Sequence, residues 1–133
     1  MRVVDRFRYA GNHGMSVQKS SVMLPTILSH LRAGLPIIVL TNAQRLHCYA
    51  CNDRNTSIAN CFTSSCKAPY QGHFVVLLGF DSQKGLIYYS NPSSSDDTCH
   101  CSYSHMEDAR LSYGTDEDII FIDSDEGCLQ NSS

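Results

Sequence analysis

His73 and Asn91 are the residues whose types and spacing best fit acid–base chemistry in this chain. They bracket the stretch GHFVVLLGFDSQKGLIYYSNP (72–92), two apolar runs separated by a polar, glycine-containing break. Short runs rich in Val, Ile, Leu, Tyr and Phe read as strands, and Asp81-Ser82-Gln83-Lys84-Gly85 reads as a hairpin loop. With the turn centred on Ser82, Phe80 faces Lys84, Leu78 faces Leu86, Val76 faces Tyr88 and Phe74 faces Ser90. His73 then lies opposite Asn91, at the ~4.5–5.5 Å Cβ separation of directly opposed residues. A carboxamide at that distance can fix one imidazole tautomer and leave the other ring nitrogen free to take a proton. A one-residue slip would turn the pair apart. The plainer alternative is a core hairpin that ends in a partly exposed histidine.

The cysteines form a second constellation. Cys48-Tyr49-Ala50-Cys51 has the two-residue spacing of a metal knuckle, and Cys61 and Cys66 can complete four thiolates around a structural zinc. All four lie in 43–71, a long stretch with too few apolar residues to pack unaided, which a metal would staple. Ordinary thiols, or one disulfide in an oxidising setting, are the competing reading. Cys99-His100-Cys101 is too tightly spaced for both sulfurs to chelate one ion easily, but it can complete the first site from across the fold. The carboxylates of Asp116, Glu117 and Asp118 are a third cluster, more readily read as a solvated turn before a strand. His30 reads as a surface residue rather than a ligand.

The elements that must position these groups follow from periodicity. Val3, Val4, Phe7 and Ala10 share one helical face over Arg2–Ala10, and Gly11-Asn12-His13-Gly14 breaks it. Residues 15–22 fit a short strand. Leu24, Ile27, Leu28 and Leu31 give a helix with Pro25 in its first turn and Gly34 just past its end. Leu35–Leu40 reads as a β-branched strand. Ser104 with Glu107 predicts a capping box and a helix bearing Met106, Ala109 and Tyr113, stopped by Gly114. Asp118–Asp123 reads as a last strand, paired with the hairpin or with Leu35–Leu40. The expected class is α+β, an antiparallel sheet with flanking helices: one domain over 1–123, then a polar, disordered tail, 124–133.

Composition narrows the partners. A net charge of −3 without a basic run points away from nucleic acid and anionic membranes. No apolar stretch is long enough to span a bilayer, and the first residues lack a signal peptide's apolar core. Seven cysteines without such a signal favour thiols or metal ligands, hence a cytoplasmic, or also nuclear, location.

GHFVVLLGFD followed by a strand ending in Asn-Pro resembles the His and Asn/Asp half of papain-like cysteine peptidases, the bacteriocin-leader peptidases in particular. More specifically, YQGHFVVLLGFD, IYYSNPSSSDD and EDARLSYGTDEDIIFI resemble the guanylyl cyclase domain-containing family, over roughly residues 1–123. The resemblance implies a papain-like half domain with His73 as base and Asn91 as its orienter. It also implies that the nucleophilic cysteine, at a helix start in the first part of the fold, precedes this sequence, so that the chain is N-terminally truncated. No cysteine here matches that nucleophile. Three functions compete: a thiol hydrolase or transferase on an unknown acyl substrate, inactive as this piece; a guanylate cyclase converting GTP to cyclic GMP; and a non-catalytic binding module. The cyclase would need carboxylates for Mg²⁺ and a phosphate cradle, and no glycine-rich phosphate loop is present. A missing N-terminal segment or a protein partner would complete the first.

Overall fold

The computed structural model describes residues 15–52, 69–93 and 98–124, with the side chains of 51 and 52 excepted. The helix expected over Arg2–Ala10, Cys61, Cys66, Cys128 and the tail beyond Ser124 fall outside the described residues.

The order of elements is α1 (Leu24–Arg32), β1 (Ile37–Asn42), α2 (Tyr49–Asn52), β2 (Gly72–Asp81), β3 (Leu86–Ser90), β4 (Cys99–Ser102), α3 (Tyr103–Arg110) and β5 (Ile119–Phe121). The strands form one antiparallel sheet in the order β4-β3-β2-β1-β5. The α+β class and the antiparallel sheet are as the sequence predicts. Pro25 opens α1, and Gly34 ends it at φ +82°, its N–H on the Leu31 carbonyl. Among the described residues no helix is long and apolar enough to cross a membrane.

One face of the sheet carries the core. Ile37 and Val39 of β1, Val75 and Leu77 of β2, Ile87 and Tyr89 of β3, and Cys99 and Cys101 of β4 are all buried there. Ile27 and Leu31 of α1 and Met106 of α3 join the same cluster. The opposite face is apolar as well, bearing Ile38, Leu40, Phe74, Val76, Leu78, Tyr88 and Ile120. Phe74, Leu78 and Ile120 stay 49%, 46% and 52% exposed. Antiparallel sheets that face water usually alternate to polar side chains, and this one does not.

Several local expectations shift. Residues 15–22 form no strand. β1 begins two residues later than predicted, and β5 pairs with it, one of the two partners expected for the last strand. Ser102, not Ser104, caps α3, accepting the His105 N–H; the helix ends at Arg110, and Tyr113 is 96% exposed instead of lying on its buried face. A Ser-x-x-His start satisfies the orphan N–H as Ser-x-x-Glu would, so the motif alone does not choose the frame. β4 is unexpected: its four residues, CHCS, carry no strand-forming run.

The hairpin register differs too. Asp81 pairs with Leu86 across residues 82–85, Phe80 with Ile87, and Gly79 with Tyr88. A bulge at Leu78 then resets the ladder, so that Leu77 pairs with Tyr89 and Val76 with Ser90. A bulge absorbs one extra residue on one strand and restores the facing of everything beyond it. Had the turn-proximal register run on unbroken, Asn91 would oppose Val76, and His73 would lie on the opposite face. With the bulge it falls beside Val75, on the face of His73.

Candidate functional site

His73 is the second residue of β2, half-buried on the core face and opposite Thr41 of β1. Asn91 follows the last residue of β3. The His73 Nε2 and Asn91 Oδ1 atoms are 2.7 Å apart. The same oxygen accepts the Ser93 N–H at 3.0 Å, closing an Asx turn over Pro92. An oxygen that accepts a backbone N–H is held as an acceptor, so Nε2 carries the hydrogen. Nδ1 is left with its lone pair, the arrangement of an oriented base. Thr41, fully buried, donates its hydroxyl to the His73 carbonyl at 2.7 Å. The expected pair is therefore together, diagonal across the ladder instead of directly opposed.

The described thiols occupy a different place. Cys48, Cys99 and Cys101 are buried in the core, with α2 packed against β4. Burial pushes the Cys101 thiol up to about 12, and the neighbouring Cys48 adds to the rise. A thiol so shifted is not an activated nucleophile. Of the four cysteines expected at zinc, Cys48 lies in the core rather than in an open loop. Cys51 lies in α2 without a described side chain. Among the described residues no three His, Cys, Asp or Glu side chains converge as a metal site.

Asp116, Glu117 and Asp118 make the turn into β5. Asp116 and Glu117 have φ +51° and +56°, a left-handed conformation unusual for residues other than glycine. Buried Thr115 braces the turn: its hydroxyl donates to the Arg110 and Ser112 carbonyls and accepts the Glu117 N–H. Glu117 receives the Ser21 hydroxyl at 2.8 Å. His30 sets Nε2 2.9 Å from the Ile122 carbonyl and its ring edge-on to Phe121, fastening α1 to the end of β5.

Two features have no sign in the sequence. The first is an open groove of about 710 Å³ at the Asn42 end of β1, walled by Arg45, Tyr70, Asp108 and Tyr113. Buried Asn42 forms its floor, donating to the Ser112 hydroxyl while its Oδ1 accepts the Gln44 and Gln71 N–H groups. Tyr70 lies against Gly114, where a Cβ would come within 2.8–3.0 Å of three ring atoms. His73 is not among the groove's lining residues. The second is an imidazole stack, His47 on His105 at 4.6 Å between ring centroids, with the Tyr49 hydroxyl 3.2 Å from His105 Nδ1. A lone Asn or His in sequence gives no hint of such partners.

Comparison with known proteins places the chain. A family model described as guanylylate cyclase matches residues 1–122. Guanylyl cyclase 1 of Arabidopsis thaliana is 32% identical over 132 residues, covering 98% of this chain and 47% of the relative. This chain thus spans about half the length of that relative. No solved structure matches. With both its strand motifs and its last turn inside the matched region, the chain belongs to the guanylyl cyclase domain-containing family.

Proposed function

We propose that this chain carries the base-and-orienter half of a papain-like, thiol-hydrolase-type site, and that it is inactive without a thiol supplied from outside the described residues. The observation behind this reading is the 2.7 Å His73–Asn91 bond, with Asn91 held by its own Asx turn. In a complete site a thiolate attacks an acyl carbon, and the imidazolium returns the thiol's proton to the leaving group. A second nucleophile, water deprotonated by the same imidazole, then releases the acid. His73 Nδ1 is the nitrogen available for both transfers. Removing one member of such a triad costs orders of magnitude in rate, so the isolated chain turns over neither esters nor peptides.

The second reading takes the relative's name to this chain: conversion of GTP to cyclic GMP. Asp116, Glu117 and Asp118 are its candidate carboxylates. They surround an exposed turn and do not converge as a metal site. A structural zinc on Cys48, Cys51, Cys61 and Cys66 is likewise a proposal. Purified without added metal, such a protein would hold about one zinc per chain by elemental analysis, and none would leave ordinary thiols.

Assaying the purified chain against activated acyl esters and GTP tests the main reading, which expects no turnover of either. Fusing the preceding segment of the longer relative should produce thiol-dependent hydrolysis that His73→Ala abolishes. Cyclic GMP formation by the chain alone, insensitive to His73→Ala and lost in Asp116→Asn with Asp118→Asn, would establish the cyclase instead.

A further inference from the structure

We infer that Thr41 is a positioning residue for His73, holding the imidazole in reach of Asn91 through the His73 carbonyl. The inference rests on the His73–Asn91 pair being the working half-site. The β2–β3 ladder ends at Val76 and Ser90, three residues short of His73. On that side the imidazole is tied by its ring alone, through the bond to Asn91. On the other side β1 pairs with β2 as far as Asn42 and Gly72, so His73 sits one pair from the end of that ladder. Strand ends fray, and frayed pairs carry little of a fold's total stability. Thr41 counters fraying at this position. Its hydroxyl is fully buried and lies 2.7 Å from the His73 carbonyl. The register also puts its side chain beside that of His73 on the core face. A buried hydroxyl without a partner is costly, so this bond is not readily exchanged for another. It fixes the peptide from which the imidazole projects, and with it the span to a partner that no backbone ladder delivers.

The readout is the His73 tautomer, measured by long-range proton–nitrogen correlation on protein labelled with ¹⁵N-histidine. The His73→Gln spectrum assigns the signals. Wild type should show the Nε2–H form. Thr41→Val keeps the volume and β-branching but removes the donor, and should lower the Nε2–H to Nδ1–H ratio roughly two- to ten-fold, the worth of about one net hydrogen bond. Thr41→Ser keeps the hydroxyl and should restore the wild-type ratio. Phe80→Ala, at the far end of β2, should lower stability and leave the ratio alone. An unchanged ratio in Thr41→Val, or an equal change in Phe80→Ala, overturns the inference. Asn91→Ala should erase the tautomer preference; if it does not, the His73–Asn91 reading falls, and this inference falls with it.

Discussion

Phe74 and Phe80 lie six residues apart on one strand, and unbroken alternation would put them on the same face of the sheet. The bulge at Leu78 separates them. Phe80 packs against the core cluster, with the Arg32 guanidinium 5.6 Å from its ring centroid, whereas Phe74 is 49% exposed on the outer face. Full burial of a phenylalanine side chain is worth about 1.5–3 kcal/mol, so half-exposed Phe74 should lose roughly 1 kcal/mol on truncation to alanine. Core Phe→Ala changes cost about 3–5 kcal/mol, and a partly buried ring falls toward or below the lower end, roughly 2–3 kcal/mol. Removing the Phe80 ring also removes the cation–π attraction of Arg32, worth about 0.5–1 kcal/mol more. Phe80→Ala should therefore destabilise the chain by at least about 1 kcal/mol more than Phe74→Ala. Urea unfolding is the assay, with the midpoint shift read at constant m-value. Equal costs, or a larger one at Phe74, would refute the bulge. The placement of Asn91 on the face of His73 would then need another basis, because that facing depends on the same one-residue reset.

Three further outcomes are expected. Gly114→Ala meets both the Tyr70 ring and a φ of +101°, and should cost about 1–3 kcal/mol in the same unfolding assay; a neutral result would mean that Tyr70 does not pack there. Cys101 holds its proton more tightly folded than unfolded, so its contribution is complete below about pH 9 and is lost as pH rises toward 12. Stability measured across that window should fall more steeply in wild type than in Cys101→Ala, and parallel curves would exclude the shift. Replacing Phe74, Leu78 and Ile120 together by serine or threonine should reduce association in light scattering while leaving the far-ultraviolet circular dichroism unchanged, since all three face outward; association as strong as wild type would put the sticky surface elsewhere.

The parts of the fold legible in sequence are those in which local chemistry and tertiary packing agree. α1 is bounded by a proline and a glycine whose backbone preferences suit a helix start and a left-handed stop, and its buried residues Ile27 and Leu31 lie on the predicted stripe. The hairpin is legible for the same reason, as two β-rich runs around a turn. Its register is not. The turn spans residues 82–85, and the extra residue is absorbed within β2, at a position where Leu78 looks like any other strand leucine. β4 is hidden because Cys99 and Cys101 pack there as small apolar side chains beneath α2, while in sequence they read only as a dense cysteine patch. Thr41 is hidden because its significance lies in a carbonyl 32 residues away.

Two unusual features of the described residues, a His73–Asn91 pair with no activated thiol among them and a sheet apolar on both faces, bear on one another. A half-site can be functional only if something brings the nucleophile to Nδ1 of His73. An outer face carrying Ile38, Leu40, Phe74, Val76, Leu78 and Ile120 is stable in water only at a cost in solubility. The relative's length is about twice what this chain covers, so a longer family protein has chain to spare for both needs. If one segment met both, serine or threonine at Phe74, Leu78 and Ile120 would improve the isolated chain and weaken reconstitution of hydrolysis by the added segment. If reconstitution proved indifferent to those three changes, the thiol must approach without using the outer face. The apolar surface would then answer to some other partner.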